Sequence, residues 1–282
     1  SYGFSSLVLP LLLHGIPLVL ARSALPEDLR RAAREGGAWT LPAVPALWRS
    51  WFAAGAIPDA VRLAISAGAP LPAGLEQEVF SAGGLKIHNF YGASECGGIA
   101  YDATETPRLE TTLVGTAIAG VDVRVGGDGC LEVRGVNVGS RYWPEADGRL
   151  GDGCFRTTDL ARLEEGGIRL LGRRDDVINL AGRKVLPEAV EHVVLRHPAV
   201  SQCLVFGAPR REDGLGELVV AVVEGAGGLS REELERFASE HLPAWQVPRD
   251  WWFVGSLPAN ARGKRSRQEW RTAYLQARGR MG

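Results

Sequence analysis

Residues 61–70 read VRLAISAGAP, an apolar run that ends in a glycine turn and a proline. The run predicts a buried strand over 61–66 and a turn over 67–70. A helix is predicted over 75–80, and a second strand ends at Tyr91. Strand, turn, helix and strand in this order indicate an α/β domain with a parallel sheet.

The flanking segments carry their own patterns. Two helices are predicted upstream, over 27–35 and over 41–52, and the second is entered at a proline. From residue 121 the chain changes to short alternating strands with glycine turns, which predicts an antiparallel, β-rich subdomain. Its strands are predicted over 121–125, 131–134, 161–163 and 168–171.

A third pattern begins after Gly172. Pro187 opens a predicted helix that runs to Arg196. Strands are predicted over 201–206 and 218–223, and the capping box Ser230-Arg231-Glu232-Glu233 marks the start of another helix. The C-terminal third of the chain therefore predicts a small α+β domain.

The composition of the 282 residues, 45% hydrophobic and 23% charged, is that of a globular protein with one large and one small domain. A net charge of −1 with interspersed signs argues against nucleic acid or a membrane surface as a partner. The four cysteines form no Cys-x-x-Cys pair, so we expect reduced core thiols in a cytoplasmic protein.

The apolar run 7–21 is too short for a membrane span and is interrupted by Pro10, Gly15 and Pro17. We therefore expect no integral membrane segment, and instead a core helix, a turn and a core strand. Because no positively charged region precedes the run, a signal peptide is not expected.

Residues 89–95, NFYGASE, combine an amide, two aromatic rings, a hydroxyl and a carboxylate. The Asn89 amide can pair with an adenine edge, and the Tyr91 ring can stack on its face. Ser94 and Glu95 offer oxygen ligands to a hard cation such as Mg²⁺. The same residue types also suit a surface turn after a strand, so this stretch alone leaves both interpretations open.

Four further motifs follow in order. They are Phe155-Arg156-Thr157-Thr158-Asp159, Gly172-Arg173-Arg174-Asp175-Asp176, Gly182-Arg183-Lys184 and Pro258-Ala259-Asn260-Ala261-Arg262-Gly263-Lys264. Together with 67–70 and 91–95, they resemble the adenylate-forming superfamily of acyl-CoA synthetases, peptide-synthetase adenylation domains and luciferases. The resemblance extends from Ser1 nearly to the C-terminus.

The resemblance implies a role for each motif. The adenine site would consist of Ala67, Gly68, Ala69, Asn89, Tyr91 and Gly92. Ser94 and Glu95 would bind the phosphates, and Glu95 would bind Mg²⁺. Asp159 would accept hydrogen bonds from both ribose hydroxyls, and Arg173 would contact ribose or phosphate.

Two further roles belong to the reaction itself. Lys264 would be the catalytic lysine, which stabilises the charge that develops when the acid attacks the α-phosphate. The Gly182 loop would line the tunnel for the pantetheine arm of coenzyme A. Three positions depart from the family pattern: Ser94 replaces a threonine, Thr158 a glycine and Asn179 a lysine.

Each of these residues also has an ordinary interpretation. Gly68 suits a plain strand-to-helix turn, and Glu95 a solvated acid. Asp159 suits a turn or a helix cap, and Arg173 a surface pair with Asp175 or Asp176. Lys264 also suits a basic tail.

The fold implied by the resemblance is α/β and α+β. A partial large domain would cover 1–174, with a segment of parallel sheet and the β-rich antiparallel subdomain. A small mobile α+β lid domain would cover 175–282, with its hinge at Asp175.

The activity implied is that of an ATP-dependent carboxylic acid:CoA ligase that acts through an acyl-adenylate. Its acid would be fatty or aromatic, and it would use ATP, Mg²⁺ and coenzyme A. Two alternatives stay open: an adenylation enzyme that loads a carrier protein, and an inactive fragment with a binding role.

Members of the superfamily carry a Ser/Thr/Gly-rich loop ending in lysine, well upstream, which grips the β- and γ-phosphates. The sequence from Ser1 onward has no such loop. We therefore expect this chain to lack the N-terminal half of the enzyme and to catalyse ATP–pyrophosphate exchange weakly or not at all. We also expect exposed apolar surface around 7–20, and poor solubility as its consequence.

Overall fold

The computed structural model describes residues 7–180, 182–209, 217–258 and 265–279. The chain divides into two compact units. The first is drawn from Ser1–Thr157 and Ala161–Leu170, and the second from Thr158–Leu160 and Leu171–Gly282. The lid domain and its hinge at Asp175 stay predictions.

Five strands form the main sheet of the first unit, in the order β1-β2-β3-β4-β5. Strands β1, β2 and β3 are parallel, whereas β4 and β5 are added antiparallel. Helix α3 connects β1 to β2 and helix α4 connects β2 to β3, since parallel neighbours need a crossover. The bounds are α1 Leu9–His14, α2 Pro26–Ala32, β1 Trp39–Ala43, α3 Pro45–Ala53, β2 Val61–Ala67, α4 Ala73–Gly83, β3 Ile87–Ala93, β4 Gly97–Tyr101 and β5 Thr116–Ala117.

The core of this unit lies between the sheet and its crossover helices. Trp48 of α3 is fully buried, and its indole N–H donates to the carbonyl of Ile65 on β2 at 3.2 Å. Leu75 and Val79, one turn apart on α4, join the same core. The parallel sheet predicted from 61–91 is confirmed.

The helix predicted over 41–52 is wrong in its first residues. They belong to β1, and α3 begins at Pro45. A residue that precedes proline is disfavoured in the helical region, and this applies to Leu41 before Pro42 and to Val44 before Pro45. Because β1 lies at the edge of the sheet, Pro42 can lack an N–H there without breaking the ladder.

The core helix and core strand predicted over 7–21 are also wrong. Helix α1 has no buried residue, and Leu12 and Leu13 are each 69% exposed. No strand forms among the described residues between Gly15 and Trp39. The expectation of exposed apolar surface is confirmed, because Ile16 and Leu20 are exposed as well.

A second sheet has the order β10-β9-β7-β6, with β8 paired to β9. Gly126 and Gly129 form the turn between β6 and β7, which are antiparallel as predicted. Strands β9 and β10 contribute residues to both compact units. The bounds are β6 Val121–Val125, β7 Cys130–Gly135, β8 Leu150–Gly151, β9 Cys154–Glu164 and β10 Gly167–Arg173.

The second unit contains a three-stranded sheet, β13-β14-β15, and a short hairpin, β11-β12. Alternate residues of β13 and β14 face opposite sides: Val205 packs with α5 and α6, and Phe206 packs with Tyr274 of α7. The Ser230 hydroxyl caps α6 by accepting from the Glu233 N–H at 3.2 Å, as predicted. The bounds are β11 Ile178–Leu180, β12 Arg183–Val185, α5 Pro187–Val194, β13 Val200–Pro209, β14 Glu217–Gly225, α6 Arg231–His241, β15 Asp250–Phe253 and α7 Arg267–Gly279.

The structure confirms the predicted α/β and α+β fold class, in that a parallel sheet, a β-rich section and a small α+β section follow one another along the chain. All four cysteines are buried free thiols, as expected. In the part of the chain that the structure describes, every helix is too short or too polar to cross a bilayer.

Four buried charges connect the elements of the first unit. Glu76 of α4 has no exposed surface and accepts hydrogen bonds from Lys86 and from Arg108, whose Nε lies 2.9 Å from Glu76 Oε2. Lys86 also donates to Asp102 at 2.7 Å. Burial alone would raise the pKa of Asp102, but hydrogen bonds from Lys86 and Thr104 outweigh it and keep that pKa below its usual value.

We expect Glu76→Gln to lower the free energy of unfolding by about 3 kcal/mol, because it leaves two buried cations with one carboxylate. Glu78→Gln, a change of the same kind on the exposed face of the same helix, serves as the control and should stay within about 0.5 kcal/mol of the unaltered chain. Urea unfolding followed by circular dichroism measures both. Equal losses in the two variants would contradict the assigned role of the network.

Candidate functional site

The end of β2 and the middle of β3 lie side by side. Ser66 pairs with Asn89, and Ala67 with Phe90, in the parallel register of the two strands. Gly68 follows with a positive φ of 85°, which favours glycine. Ala67, which leads into Gly68 and Ala69, is therefore next to the 89–91 stretch of β3, where the parallel pairing of the two strands ends. The carboxyl ends of parallel strands are where α/β sheets commonly bind ligands.

The side chain of Asn89 is buried and oriented by the chain itself. Its amide nitrogen donates to the carbonyl of Val114 at 3.0 Å. With its NH₂ group engaged there, the amide can offer its oxygen as an acceptor. An acceptor at this point matches the exocyclic amino group of adenine, so the geometry is compatible with the predicted role.

Strand β3 continues beyond Tyr91 to Ala93, farther than predicted. Ser94, Glu95 and Cys96 then form a tight turn into β4, where Ala93 pairs with Gly97. A side chain at Gly92 would place Cβ 2.3 Å from the Gly97 carbonyl oxygen, so the hairpin requires glycine there. Ser94 is exposed and Glu95 is partly exposed at the tip of this hairpin.

The tip of the hairpin can supply oxygen ligands. Among the described residues, no group of three or more His, Cys, Asp or Glu side chains could hold a metal ion by itself. Mg²⁺ at nucleotide sites is usually held by one or two carboxylates together with phosphates. The Glu95 carboxylate beside the Ser94 hydroxyl fits that donor set. Cys96 does not contribute, since burial raises its pKa to about 11 and keeps the thiol neutral.

Sequence reasoning missed the residues that hold this tip. The Tyr142 hydroxyl donates to Glu95 Oε1 at 2.8 Å, and the Gly139 N–H donates to the Glu95 carbonyl at 2.8 Å. The Asn137 amide donates to the carbonyls of Cys96 and Gly98. Tyr142 lies 47 residues from Glu95 in the chain, so local patterns carry no signal for this contact.

Asp159 and Arg173 come together in the second unit. Asp159 lies within β9, and Arg173 at the end of β10 places its Nε 3.3 Å from Asp159 Oδ1. Arg173 also donates to the Thr158 hydroxyl at 2.9 Å. The turn or helix cap considered for Asp159 is therefore wrong, and the arginine pairs with Asp159 rather than with the acids that follow it.

The predicted coenzyme A loop is a hairpin. Gly182 has a φ of 92° between β11 and β12, and its N–H donates to the Asn179 side-chain oxygen at 3.0 Å. The Arg183 guanidinium lies 5.6 Å from the centre of the Trp245 ring, within the range of a cation–π contact. Lys264 lies outside the described residues.

The second unit also contains a cluster of acids around Arg267. Arg267 pairs with Asp176, Glu188 and Glu191, each at 2.9 Å. The second carboxylate oxygen of Glu188 is buried without a hydrogen-bond partner among the described residues. Burial, which outweighs the attraction of Arg267, raises the pKa of Glu188 to about 7.

Comparison with known proteins identifies the chain. The model of the AMP-binding enzyme family matches residues 1–143, slightly more than half of the chain. The chain belongs to the AMP-binding enzyme family. The model of the AMP-binding enzyme C-terminal domain matches residues 189–264. The predicted family is thereby confirmed.

Relatives of this AMP-binding enzyme chain include two aromatic acid ligases. It is 32% identical to the anthranilate–CoA ligase of Pseudomonas aeruginosa over 76% of this chain and 45% of that protein. It is 28% identical to a 2-succinylbenzoate–CoA ligase of Bacillus mycoides over 95% of this chain and 59% of that protein. The chain thus spans about half the length of these relatives.

A solved structure shares the fold of this AMP-binding enzyme chain. ATP-bound MatB from Rhodopseudomonas palustris superposes with a TM-score of 0.78 at 27% sequence identity, over 88% of this chain and 53% of that one. The comparisons establish the family and the fold, whereas the roles of the individual site residues stay predictions.

We expect Gly92→Ala to lower the free energy of unfolding by about 1–3 kcal/mol or more, because the added methyl group would clash with the backbone of Gly97. Gly74→Ala is the matched control: no atom lies within 4 Å of its Cβ, and alanine in helix α4 should stabilise by about 0.5–1 kcal/mol. Chemical unfolding of both variants measures the difference. If Gly92→Ala leaves the free energy of unfolding unchanged, the close approach of Gly92 to the Gly97 carbonyl is contradicted.

The raised pKa of Glu188 predicts a pH dependence of stability. The contribution of Glu188 to the free energy of unfolding is fully present below the unfolded pKa of 4.5. It is lost as pH rises through the folded pKa of about 7. Between pH 5 and pH 8 we expect Glu188 to cost the unaltered chain roughly 2–3 kcal/mol of unfolding free energy, and we expect Glu188→Gln to abolish this loss. Unfolding free energies at both pH values, with Glu78→Gln as control, measure it. An unchanged slope in Glu188→Gln would contradict the assignment.

Proposed function

We propose that this chain carries the adenylate-binding side of an acid:CoA ligase. One observation supports this most directly: the end of β2, which leads into the Gly68 turn, lies beside Asn89 of β3 and its oriented amide, within the stretch that the AMP-binding family matches. The curated relatives named above are CoA ligases. The ligase acts in two steps, adenylation of the acid and then transfer of the acyl group to the thiol of coenzyme A.

The first unit binds the base and the phosphates. The Asn89 oxygen accepts from the adenine amino group, and Tyr91 stacks on the ring. Glu95 and Ser94 would supply oxygens to Mg²⁺, which would neutralise phosphate charge when bound. The acid attacks the α-phosphate, its carboxylate oxygen forms the new P–O bond, and pyrophosphate leaves.

The remaining proposed roles belong to residues of the second unit. Asp159 accepts from the ribose hydroxyls, and its contact with Arg173 holds the carboxylate in place. Lys264 stabilises the charge that develops on the attacked phosphate. After rotation about Asp175, the Gly182 hairpin lines the path of the CoA thiol, which attacks the acyl carbon and releases AMP.

An aromatic carboxylic acid is the proposed substrate. The names of both curated relatives specify acids built on benzoate, which supports an aromatic ring over a fatty chain. Coenzyme A is the proposed acceptor, because both of these relatives are named as CoA ligases. A carrier protein is the alternative acceptor, and the experiment below includes it.

The test supplies preformed benzoyl-AMP, so that the chain does not have to bind the β- and γ-phosphates of ATP. We expect the 282-residue chain to bind benzoyl-AMP and to accelerate thioester formation with coenzyme A over the rate without protein. Mass spectrometry measures the thioester, and calorimetry measures the binding. A phosphopantetheine-bearing carrier protein in place of coenzyme A tests the alternative acceptor.

In the same experiment we expect Asp159→Ala to weaken benzoyl-AMP binding by about 10–100-fold, since two hydrogen bonds to a charged acceptor are lost. Asp122→Ala, which removes an exposed acid of β6, is the matched control and should bind as the unaltered chain does. If benzoyl-AMP neither binds nor reacts faster, the proposed function is wrong.

A further inference from the structure

The Glu95 turn is supported from outside by a separate segment, 137–142. The Asn137 amide and the Gly139 N–H bond the carbonyls of Cys96, Gly98 and Glu95, so this segment fixes the main chain of the turn. Gly139 approaches closely, because an added Cβ there would lie 3.2 Å from the Glu95 carbonyl oxygen. The tip is therefore held through its backbone on both sides of Cys96.

Tyr142 is the member of this segment that acts on the side chain of Glu95. Its hydroxyl donates to Oε1 at 2.8 Å, while its ring packs against the apolar cluster that contains Cys96 and Leu150. Packing restricts the ring, so the position of its hydroxyl is set by the core. One carboxylate oxygen is then bonded at a defined point, and the orientation of the other oxygen follows from it.

We propose that Tyr142 is a positioning residue that orients the Glu95 carboxylate toward the divalent cation of a metal–ATP complex. The inference rests on the proposed function, which gives Glu95 its cation. A carboxylate that ligates a metal is commonly held by a second hydrogen bond, and loss of that bond typically weakens metal affinity by about 10–100-fold. A carboxylate has enough lone pairs to accept from Tyr142 and to ligate a metal as well.

The experiment compares Tyr142→Phe with Glu95→Gln and the unaltered chain, with Mn²⁺ as the probe for Mg²⁺. Electron paramagnetic resonance gives the affinity for Mn²⁺ in the presence of ATP, and calorimetry gives the affinity for AMP without metal. Tyr101→Phe is the matched control, because it removes a phenolic oxygen from β4 of the same unit, where the ring stacks on His88. Thermal unfolding shows that each variant is folded.

We expect Tyr142→Phe to weaken Mn²⁺ binding by about 10-fold or more, and to leave AMP binding and the Tyr101→Phe control unchanged. Because Tyr142 acts through Glu95, adding Tyr142→Phe to Glu95→Gln should weaken Mn²⁺ binding no further. A purely structural tyrosine would lower the melting temperature and AMP affinity together, and would remain additive with Glu95→Gln.

Two other outcomes would overturn the inference. If Glu95→Gln weakens Mn²⁺ binding and Tyr142→Phe does not, Tyr142 has no positioning role, while the proposed function is retained. If ATP gives the unaltered chain no Mn²⁺ site that depends on Glu95, the metal role of Glu95 is wrong and this inference fails with it. AMP binding then still reports on the adenylate-binding side of the proposed function.

Discussion

The buried carboxylate of Glu76 connects the parts of the first unit that the proposed function assigns to the nucleotide. Arg108, held by Glu76, donates to the carbonyl of Leu71 at 2.8 Å, immediately after the 67–70 turn. Asp102, held by Lys86, donates its N–H to the carbonyl of Asn89 at 2.9 Å. The turn and the amide are thus both tied to one ionic network, and the spacing between them depends on it.

The Glu76 network of the first unit and the Arg267 cluster of the second differ in their balance of charges. In the first unit two carboxylates face two cations, so their mutual attraction can offset the cost of taking four charges out of water. In the second unit, among the described residues, the guanidinium of Arg267 pairs with three carboxylates. Burial there raises the pKa of Glu188 to about 7, which makes the second cluster sensitive to pH near neutrality.

From the sequence we could predict those helices and strands whose signals lie in neighbouring residues. The β2 strand, the α4 helix and the capped α6 helix follow from apolar periodicity and from Ser230. Strand β1 could not be read in this way, because its proline is acceptable at a sheet edge and the sequence does not state which strand is the edge. The contact between Tyr142 and Glu95 and the burial of Glu76 depend on tertiary structure, which no window of neighbouring residues contains.

The glycines of the 92–98 stretch separate what the fold needs from what a ligand needs. Gly92 is required by the carbonyl of Gly97, and a Cβ on Gly98 would lie 2.6 Å from the Phe90 ring. Both are therefore explained by the packing of the β3–β4 hairpin, without any bound molecule. Packing explains less at the tip, where Ser94 is exposed and Glu95 is partly exposed. The hydroxyl and the tethered carboxylate at this tip are the groups that the proposed function assigns to a charged ligand, and packing of the hairpin gives neither of them another role.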